Sequence, residues 1–240
     1  YKPTAGEVRI EGEDVAQYGF ADMLPVRAKM QMIFQDPYAS LDPRMRVGDL
    51  VAEPLQIHGL ASGSALEDRV AYLFKRVGLS TDQMRRYPHE FSGGQRQRIC
   101  IARALSLSPK LIVADESVAA LDVSIQAQVL DLLQDIQNET GMSYLFISHD
   151  MAVVERIAHR IAVVYAGQIV EIGDAASVLS DPKHAYTKRL ISAVPSVDRR
   201  KETFEVDTRQ VPSLVRPLGF EPEPANWQSF GPDHMARAEA

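Results

Sequence analysis

The sequence has few of the features that mark secreted or membrane-spanning proteins. Cys100 is the only cysteine among 240 residues. A lone cysteine excludes a disulfide framework within the chain and fits a reducing compartment. No apolar run approaches the ~20 residues that cross a bilayer. We therefore expect any link to a membrane to be made through a partner.

The chain also lacks a strong excess of either charge. It has 26 lysines and arginines against 32 aspartates and glutamates, a formal net charge of -6. This balance speaks against a general nucleic-acid binder. One part of this acidic chain is nevertheless locally basic, and the balance of charge does not explain it. The basic cluster consists of Arg85, Arg86, Arg96, Arg98 and Arg103.

The hydrophobic pattern predicts an α/β core. Helices over 94–107 and 122–139 alternate with apolar strands over 111–115 and 144–148, which predicts a parallel sheet buried on both faces. A third apolar strand is predicted from Met30 to Phe34. Between these strands we expect a mainly helical insert over about 38–108.

Two hairpins and a tail complete the predicted organisation. Short alternating segments flank Glu11-Gly12 and Ala166-Gly167, and each pair predicts a β-hairpin. From about Asp198 the chain becomes polar and rich in proline, so we expect an irregular extension over 198–240. The main domain is expected to cover 1–197.

Polar side chains stand at the end of each predicted parallel strand. Gln35 follows the strand at 30–34, Asp115 and Glu116 stand at the end of 111–115, and His149 follows 144–148. Ligands of open parallel sheets bind at the carboxyl ends of the strands. We therefore expect these four residues, which we call the carboxyl-edge residues, to form one site.

The residue types at this edge suit hydrolysis of a nucleoside triphosphate. Asp115 offers the hard oxygen that Mg²⁺ prefers, and Gln35 could reach the same ion. Glu116 could polarise an attacking water as a general base, and His149 could hold the terminal phosphate. The alternative interpretation of Asp115-Glu116 is an acidic pair that complements a helix dipole.

The glycine pair after Ser92 predicts a second phosphate-binding element. Ser92-Gly93-Gly94 directly precedes a predicted helix, whose first N–H groups and positive dipole end attract anions. The alternative is a serine cap followed by glycines that only make a tight turn.

Five segments, in order along residues 6 to about 175, resemble the motifs of ATP-binding-cassette ATPases. They are MIFQDP for the Q-loop, FSGGQRQRICIARAL for the signature, LIVADE for the Walker B strand, AALD at 119–122 for the D-loop and LFISHD for the switch histidine. Longer phrases such as MIFQDPYASLDPRM and HAYTKRLISAVP resemble the peptide-importer branch, which includes glutathione, dipeptide and oligopeptide importer ATPases.

The resemblance implies an incomplete P-loop NTPase-like domain with a parallel sheet, antiparallel edge strands and a helical subdomain. The family's phosphate loop, G-x-x-x-x-G-K-[ST], occurs nowhere in the sequence. The strand that precedes the loop and the aromatic residue that stacks on adenine are also missing. We therefore expect an N-terminally truncated chain that binds ATP weakly and is inactive alone.

The resemblance also implies that ATP, with Mg²⁺, is sandwiched between two such domains. Ser92, Gly93, Gly94 and Gln95 would bind the γ-phosphate of the nucleotide held by the second domain. Asp115, Glu116, Gln35 and His149 would serve the nucleotide held by this chain, and Asp122 would lie between the two sites.

The expected partners follow from the same resemblance. They are a second ATPase domain, separate or fused, transmembrane permease subunits and, indirectly, a periplasmic or extracellular solute-binding protein, but no nucleic acid. The chain would then lie at the cytoplasmic face of the membrane and power peptide import. Two alternatives stay open: a soluble ATPase of the same family acting in DNA repair or translation, and a short protein that does not hydrolyse ATP. The tail has no cysteine, so the iron–sulfur segment of some relatives is excluded.

Overall fold

The computed structural model describes residues 2–193 and 225–238. It divides into two compact units, Tyr1–Asp150 and Met151–Ala240. The predicted boundary at residue 197, between a main domain and a C-terminal extension, does not coincide with this division and stays a prediction.

In the first unit a small hairpin precedes a parallel sheet and its helices. The described elements are β1 (Arg9–Ile10), β2 (Glu13–Asp14), α1 (Phe20–Lys29), β3 (Met30–Ile33), α2 (Val47–Ile57), α3 (Gly63–Arg76), 3-10 turns at Thr81–Arg85 and Pro88–Glu90, α4 (Gly93–Leu105), β4 (Leu111–Asp115), α5 (Val123–Thr140) and β5 (Ser143–Ile147). The predicted strands and helices of this core are confirmed to within two residues at each end.

The order of the parallel sheet is β3-β4-β5. Both pairs are parallel, and the register aligns Ile33 with Ala114 and Ala114 with Phe146. Because all three strands run the same way, their carboxyl ends lie along one edge. The α/β core with a parallel sheet, antiparallel strands and a helical subdomain is therefore confirmed.

Only one face of this sheet is buried. Ile33, Ile112 and Ala114 are at most 1% exposed, whereas Met32, Leu145 and Ile147 on the opposite face are 39%, 54% and 45% exposed. The prediction that the sheet is buried on both faces is wrong for the described residues. Their helices leave that second face uncovered, which is unusual because parallel sheets normally have helices on both sides.

The second unit is built on an antiparallel sheet of order β6-β7-β9-β8. Its described elements are α6 (Met151–Ile157), β6 (Arg160–Tyr165), β7 (Gln168–Asp174), α7 (Ala175–Ser180), α8 (Ala185–Ser192), β8 (Trp227–Gly231) and β9 (His234–Arg237). The predicted hairpin at Ala166-Gly167 is confirmed. Both turn residues have positive φ, 52° and 76°, as a type I′ hairpin turn requires.

The prediction of an irregular extension is wrong over 227–237. There β8 and β9 form a hairpin, and β9 pairs with β7. Pro232 lies in the turn between the two strands, so this proline marks a turn and not an unfolded segment. The remainder of the predicted irregular extension, up to residue 224, lies outside the described residues.

Candidate functional site

The structure brings three of the carboxyl-edge residues into direct contact. Gln35 Nε2 donates a hydrogen bond to Glu116 Oε2 at 2.5 Å. His149 Nδ1 lies 2.9 Å from the other oxygen, Oε1. With an ionised carboxylate the hydrogen of this second bond belongs to the ring nitrogen. Each carboxylate oxygen of Glu116 is thus oriented by a residue from a different strand end.

Glu116 also has an unusual backbone conformation. Its φ is 44°, in the left-handed region that costs a residue with a side chain about 1–2 kcal/mol. Its N–H donates to the carbonyl of Ile147 at 3.0 Å, which extends the contact between β4 and β5 by one residue. Strained backbone of this kind concentrates at functional sites.

The two residues predicted to ligate Mg²⁺, Asp115 and Gln35, lie beside Glu116. Asp115 is the last residue of β4, and its register partner is Ile147. Because the Gln35 amide nitrogen is engaged with Glu116, its carbonyl oxygen is the atom that could ligate a cation. No cluster of three or more potential metal ligands occurs within 2–193 and 225–238. Mg²⁺ needs fewer, since it is commonly held by one or two carboxylates together with water and phosphate oxygens.

The turn 92–95 begins α4 with a reciprocal cap. Gln95 N–H donates to Ser92 Oγ at 3.3 Å, and Ser92 N–H donates to Gln95 Oε1 at 3.0 Å. The cap satisfies the third N–H of the helix. The N–H groups of Gly93 and Gly94, the first two helical residues, have no partner within the helix. The turn therefore combines both interpretations of the sequence, because it is a serine cap that still offers two N–H groups to an anion.

The two glycines of this turn face different surroundings. A Cβ atom on Gly93 would meet only Leu121 Cδ2, at an ordinary 3.9 Å. A Cβ atom on Gly94 would lie 2.3 Å from Ile125 Cγ2, a distance that real side chains do not adopt. The sequence resemblance predicts that Gly94 binds the γ-phosphate of the nucleotide held by the second domain. That role stays a prediction, and the structure adds a requirement from within the chain.

Asp122 serves as the N-cap of α5. Its Oδ1 accepts hydrogen bonds from Ile125 N–H and Ser124 Oγ, both at 3.0 Å. The bond from the Ile125 N–H is the main reason that the pKa of Asp122 lies below its usual range, and the bond from the Ser124 hydroxyl lowers it further. The predicted position of Asp122 between two nucleotides stays a prediction.

Part of the basic cluster supports the chain itself. Arg98 donates to the carbonyl of Val77 at 2.8 Å, and Arg103 donates to the carbonyl of Ser40 at 2.7 Å. The guanidinium of Arg96 lies 5.3 Å from the ring centroid of Tyr38. These contacts fix α4 against its neighbours, so no nucleic acid is needed to explain them.

The structure contains a second glutamate–histidine pair, which the sequence does not predict. Glu171 on β7 is fully buried, and its Oε1 lies 2.7 Å from Nε2 of His234 on β9. The backbone N–H groups of Lys183 and His184 donate to the same carboxylate at 2.9 and 3.0 Å. The two partners are 63 residues apart and belong to no motif, so the sequence carried no signal of this contact.

Two further observations define the surroundings of the site. A cavity of about 550 Å³ lies at the opposite edge of the sheet, among Arg69, Tyr72, Lys110 and Ser143, and none of the carboxyl-edge residues lines it. In the part of the chain that the structure describes, no helix has both the length and the apolar character of a membrane span.

The parallel sheet, the polar residues at its carboxyl edge and the capped glycine turn are together typical of a nucleotide-hydrolysing α/β domain. Comparison with known proteins narrows this class. A family model described as ABC transporter matches residues 1–119, and one described as oligopeptide/dipeptide transporter, C-terminal region, matches 170–219. The chain belongs to the ABC transporter family of ATP-binding proteins.

Curated relatives include the glutathione import ATP-binding protein GsiA of Salmonella paratyphi A, 52% identical over 231 residues, and that of Pectobacterium atrosepticum, 52% identical over 234 residues. These alignments cover 95% and 96% of this chain. The chain spans 37% of the length of each relative.

Two solved structures show the same fold. The first is a dimeric, post-hydrolysis state of the ATP-binding cassette MJ0796 bound to ADP and Pi, with a TM-score of 0.65 and 29% identity; the match covers 73% of this chain and 75% of the other. The second is cbiO1 from Clostridium perfringens, part of the ABC transporter complex cbiONQ, with a TM-score of 0.67 and 24% identity over 75% and 70% of the two chains.

Proposed function

We propose that this chain is the ATP-binding and ATP-hydrolysing part of an importer for small peptides, of the glutathione, dipeptide or oligopeptide type. The observation that carries the proposal is Glu116, whose two carboxylate oxygens are oriented by Gln35 and His149 at the carboxyl edge of the sheet. The relatives named as glutathione import proteins support the type of cargo.

The carboxyl-edge residues fit the terminal-phosphate and metal part of an ATP site. When bound, ATP would supply the γ-phosphate that water attacks, and Mg²⁺ would neutralise the negative charge of the phosphate oxygens. Glu116 accepts a proton from the attacking water. Gln35 holds one oxygen of that carboxylate. The carbonyl oxygen of Gln35 and a carboxylate oxygen of Asp115 would be the ligands that hold Mg²⁺. His149 holds the other oxygen and is 70% exposed, so its outer ring nitrogen is accessible to a phosphate.

The turn 92–95 provides the second half of a shared site. The N–H groups of Gly93 and Gly94 point along the positive end of α4 and suit the γ-phosphate of a nucleotide bound to a second ATPase domain. Ser92 and Gln95 keep this turn in shape through their reciprocal cap. The dimeric structure of MJ0796 bound to ADP and Pi supports a pairing of two ATPase domains.

Transport requires partners that cross the membrane. The relatives named as import ATP-binding proteins support association with permease subunits, which would place this chain at the cytoplasmic face of the membrane. A solute-binding protein outside that membrane would deliver the peptide and contact this chain only through the permease.

We infer from the uncovered face of the β3-β4-β5 sheet that tight ATP binding needs a further segment. Met32, Leu145 and Ile147 present apolar side chains there, and a helix that follows a phosphate loop would cover them. The sequence has no such loop. We therefore expect ATP binding and turnover to appear when that segment is supplied.

A chimera tests the proposal. The phosphate-loop segment of the Salmonella relative is joined ahead of Tyr1, and Mg²⁺-dependent ATP binding and turnover are compared with those of residues 1–240 alone. We expect the chimera to bind and hydrolyse ATP and the 240-residue chain to bind only weakly. A matched chimera whose loop lysine is replaced by alanine should lose the gain. If residues 1–240 alone bind ATP tightly, the expectation that they need a phosphate-loop segment is wrong. If the folded chimera shows no turnover, the assignment of the carboxyl-edge residues is wrong.

A further inference from the structure

The turn 92–95 rests on the loop that leads from Glu116 into α5. Leu121 Cδ2 lies 3.9 Å from the Cβ position of Gly93, and Ile125 Cγ2 occupies the space that a Cβ atom on Gly94 would need. These two contacts lie on either side of Asp122. The turn 92–95 would therefore bind a phosphate on one side, and on its other side it packs against the loop 116–122 of the same chain.

Ile125 is itself held in place by that loop. Its N–H donates to Asp122 Oδ1 at 3.0 Å, so the first turn of α5 is fixed at the point where its side chain meets Gly94. The loop between Glu116 and Asp122 is compact as well, since Ala119 N–H donates to Glu116 O at 3.0 Å and Leu121 N–H donates to Val118 O at 3.2 Å. A short path of fixed contacts thus joins Glu116 to the turn 92–95.

We propose that Ile125 is a positioning residue that holds the turn 92–95 against the loop 116–122, so that the two phosphate-facing parts of one chain move as a single body. This inference rests on the proposed function. It assigns the glycine at position 94 to close packing on Ile125, which sets where the Gly93 and Gly94 N–H groups point. A change at Glu116 would then reach the nucleotide of the second domain through this chain.

Size exchange at the contact tests the proposal without nucleotide. Gly94→Ala places a methyl group where Ile125 Cγ2 lies, and Ile125→Ala leaves a gap there. The double variant Gly94→Ala/Ile125→Ala puts the new methyl into the gap, with Ile125 Cβ, which that alanine retains, at 3.6 Å. In the 240-residue chain we expect each single variant to lower Tm by about 5 °C and the double variant to recover most of that loss.

Backbone amide shifts measure the positioning in the same samples. Ile125→Ala should shift the amide signals of residues 93–95. Ile136→Ala is the matched control, because it makes the same truncation at a buried position near the other end of α5. The control should lower Tm at least as much and leave those three amides unchanged. Unchanged 93–95 signals in Ile125→Ala, or a double variant no more stable than Gly94→Ala, would overturn the proposal.

ATP-dependent dimerisation tests whether Ile125 also affects the nucleotide site that is shared with the second domain. In the ATP-binding chimera, each single variant should weaken ATP-dependent dimerisation at least 10-fold while single-domain ATP binding changes less than about 3-fold, and the double variant should recover dimerisation. If Tm recovers and dimerisation does not, Gly94 serves the phosphate directly and the proposal fails. If the unmodified chimera does not dimerise on ATP, the proposed function fails, and the Tm and amide measurements decide the role of Ile125 by themselves.

Discussion

Glu116 in the first unit and Glu171 in the second each lie within hydrogen-bonding distance of a histidine, at 2.9 and 2.7 Å. Their surroundings differ in every other respect. The Glu116 side chain is 27% exposed and its backbone is strained, whereas Glu171 is fully buried in a strand. Glu171 also receives two backbone N–H groups, which are absent from the contacts of Glu116.

The comparison separates a carboxylate prepared for chemistry from one that stabilises the fold. A general base must reach water and must exchange its proton, so partial exposure and replaceable side-chain donors suit Glu116. A buried carboxylate must be fully hydrogen-bonded, or its desolvation would unfold the surrounding structure. The same glutamate–histidine pair can therefore take either role, and burial with the number of fixed donors decides which.

The largest effect is expected from Glu116→Gln in the ATP-binding chimera. Glutamine keeps the size of the side chain but cannot accept the proton, so hydrolysis should fall ~100-fold or more while ATP binding remains. Because the side chain is partly exposed, Tm should change by no more than about 2 °C. Turnover and melting measured on the same samples check both statements. Near-normal turnover would remove Glu116 from the role of base.

The next largest effect is expected from Gly93→Asp in the ATP-binding chimera. Gly93 has room for a side chain, and an aspartate in the first turn of α4 should stabilise the helix by about 0.3–1 kcal/mol. The same charge should repel a phosphate and weaken ATP-dependent dimerisation of the chimera at least 10-fold. Gly93→Asn is the control of equal size. If Asp and Asn weaken dimerisation equally, no anion approaches this turn.

Glu171→Gln should reverse the pattern seen at Glu116. A glutamine cannot accept from all the donors that face Glu171, so the free energy of unfolding should fall by about 1–3 kcal/mol with little change in turnover. Urea denaturation measures the loss, and Glu155→Gln, at an exposed position of the same unit, is the control. A variant as stable as the control would contradict the structural role of the Glu171–His234 pair.

The pH dependence of stability should distinguish the two glutamates as well. Burial raises the pKa of Glu171, but the donors that face it outweigh burial, so its pKa lies below the ordinary 4.5. A lowered pKa in the folded state gives stability that is present above about pH 4.5 and is lost as the pH falls through the folded value. Glu171→Gln should flatten this acid-side slope. An unchanged slope would mean that the carboxylate does not titrate with folding.

The last prediction concerns Cys100, a buried titratable group in the first unit. The thiol is 4% exposed, and burial raises its pKa to about 11. Because the thiolate is the reactive form, alkylation at pH 8 should be ~100-fold slower or more in the native chain than in urea. Native labelling at the denatured rate would show that the core around α4 is open.

The core and the carboxyl-edge residues could be predicted because they depend on local signals. Strand 111–115 is a short apolar run with polar residues at its end, and its parallel neighbours bring Gln35 and His149 to the same edge. Ile125 and His234 could not be predicted, since their roles depend on which side chains meet after packing. The hairpin at 227–237 was missed for a related reason, because its strands are short and gain their support from β7.

The position of β9 between β7 and β8 has a consequence for the synthesis of the protein. The 63 residues from Glu171 to His234 take about 3–13 s to translate at ~5–20 residues per second. Until then β7 has only β6 beside it, and the carboxylate that will be buried is exposed to solvent. A chain that was released before residue 234 had been added would leave one edge of β7 unpaired. Chaperones and proteases recognise surfaces of this kind.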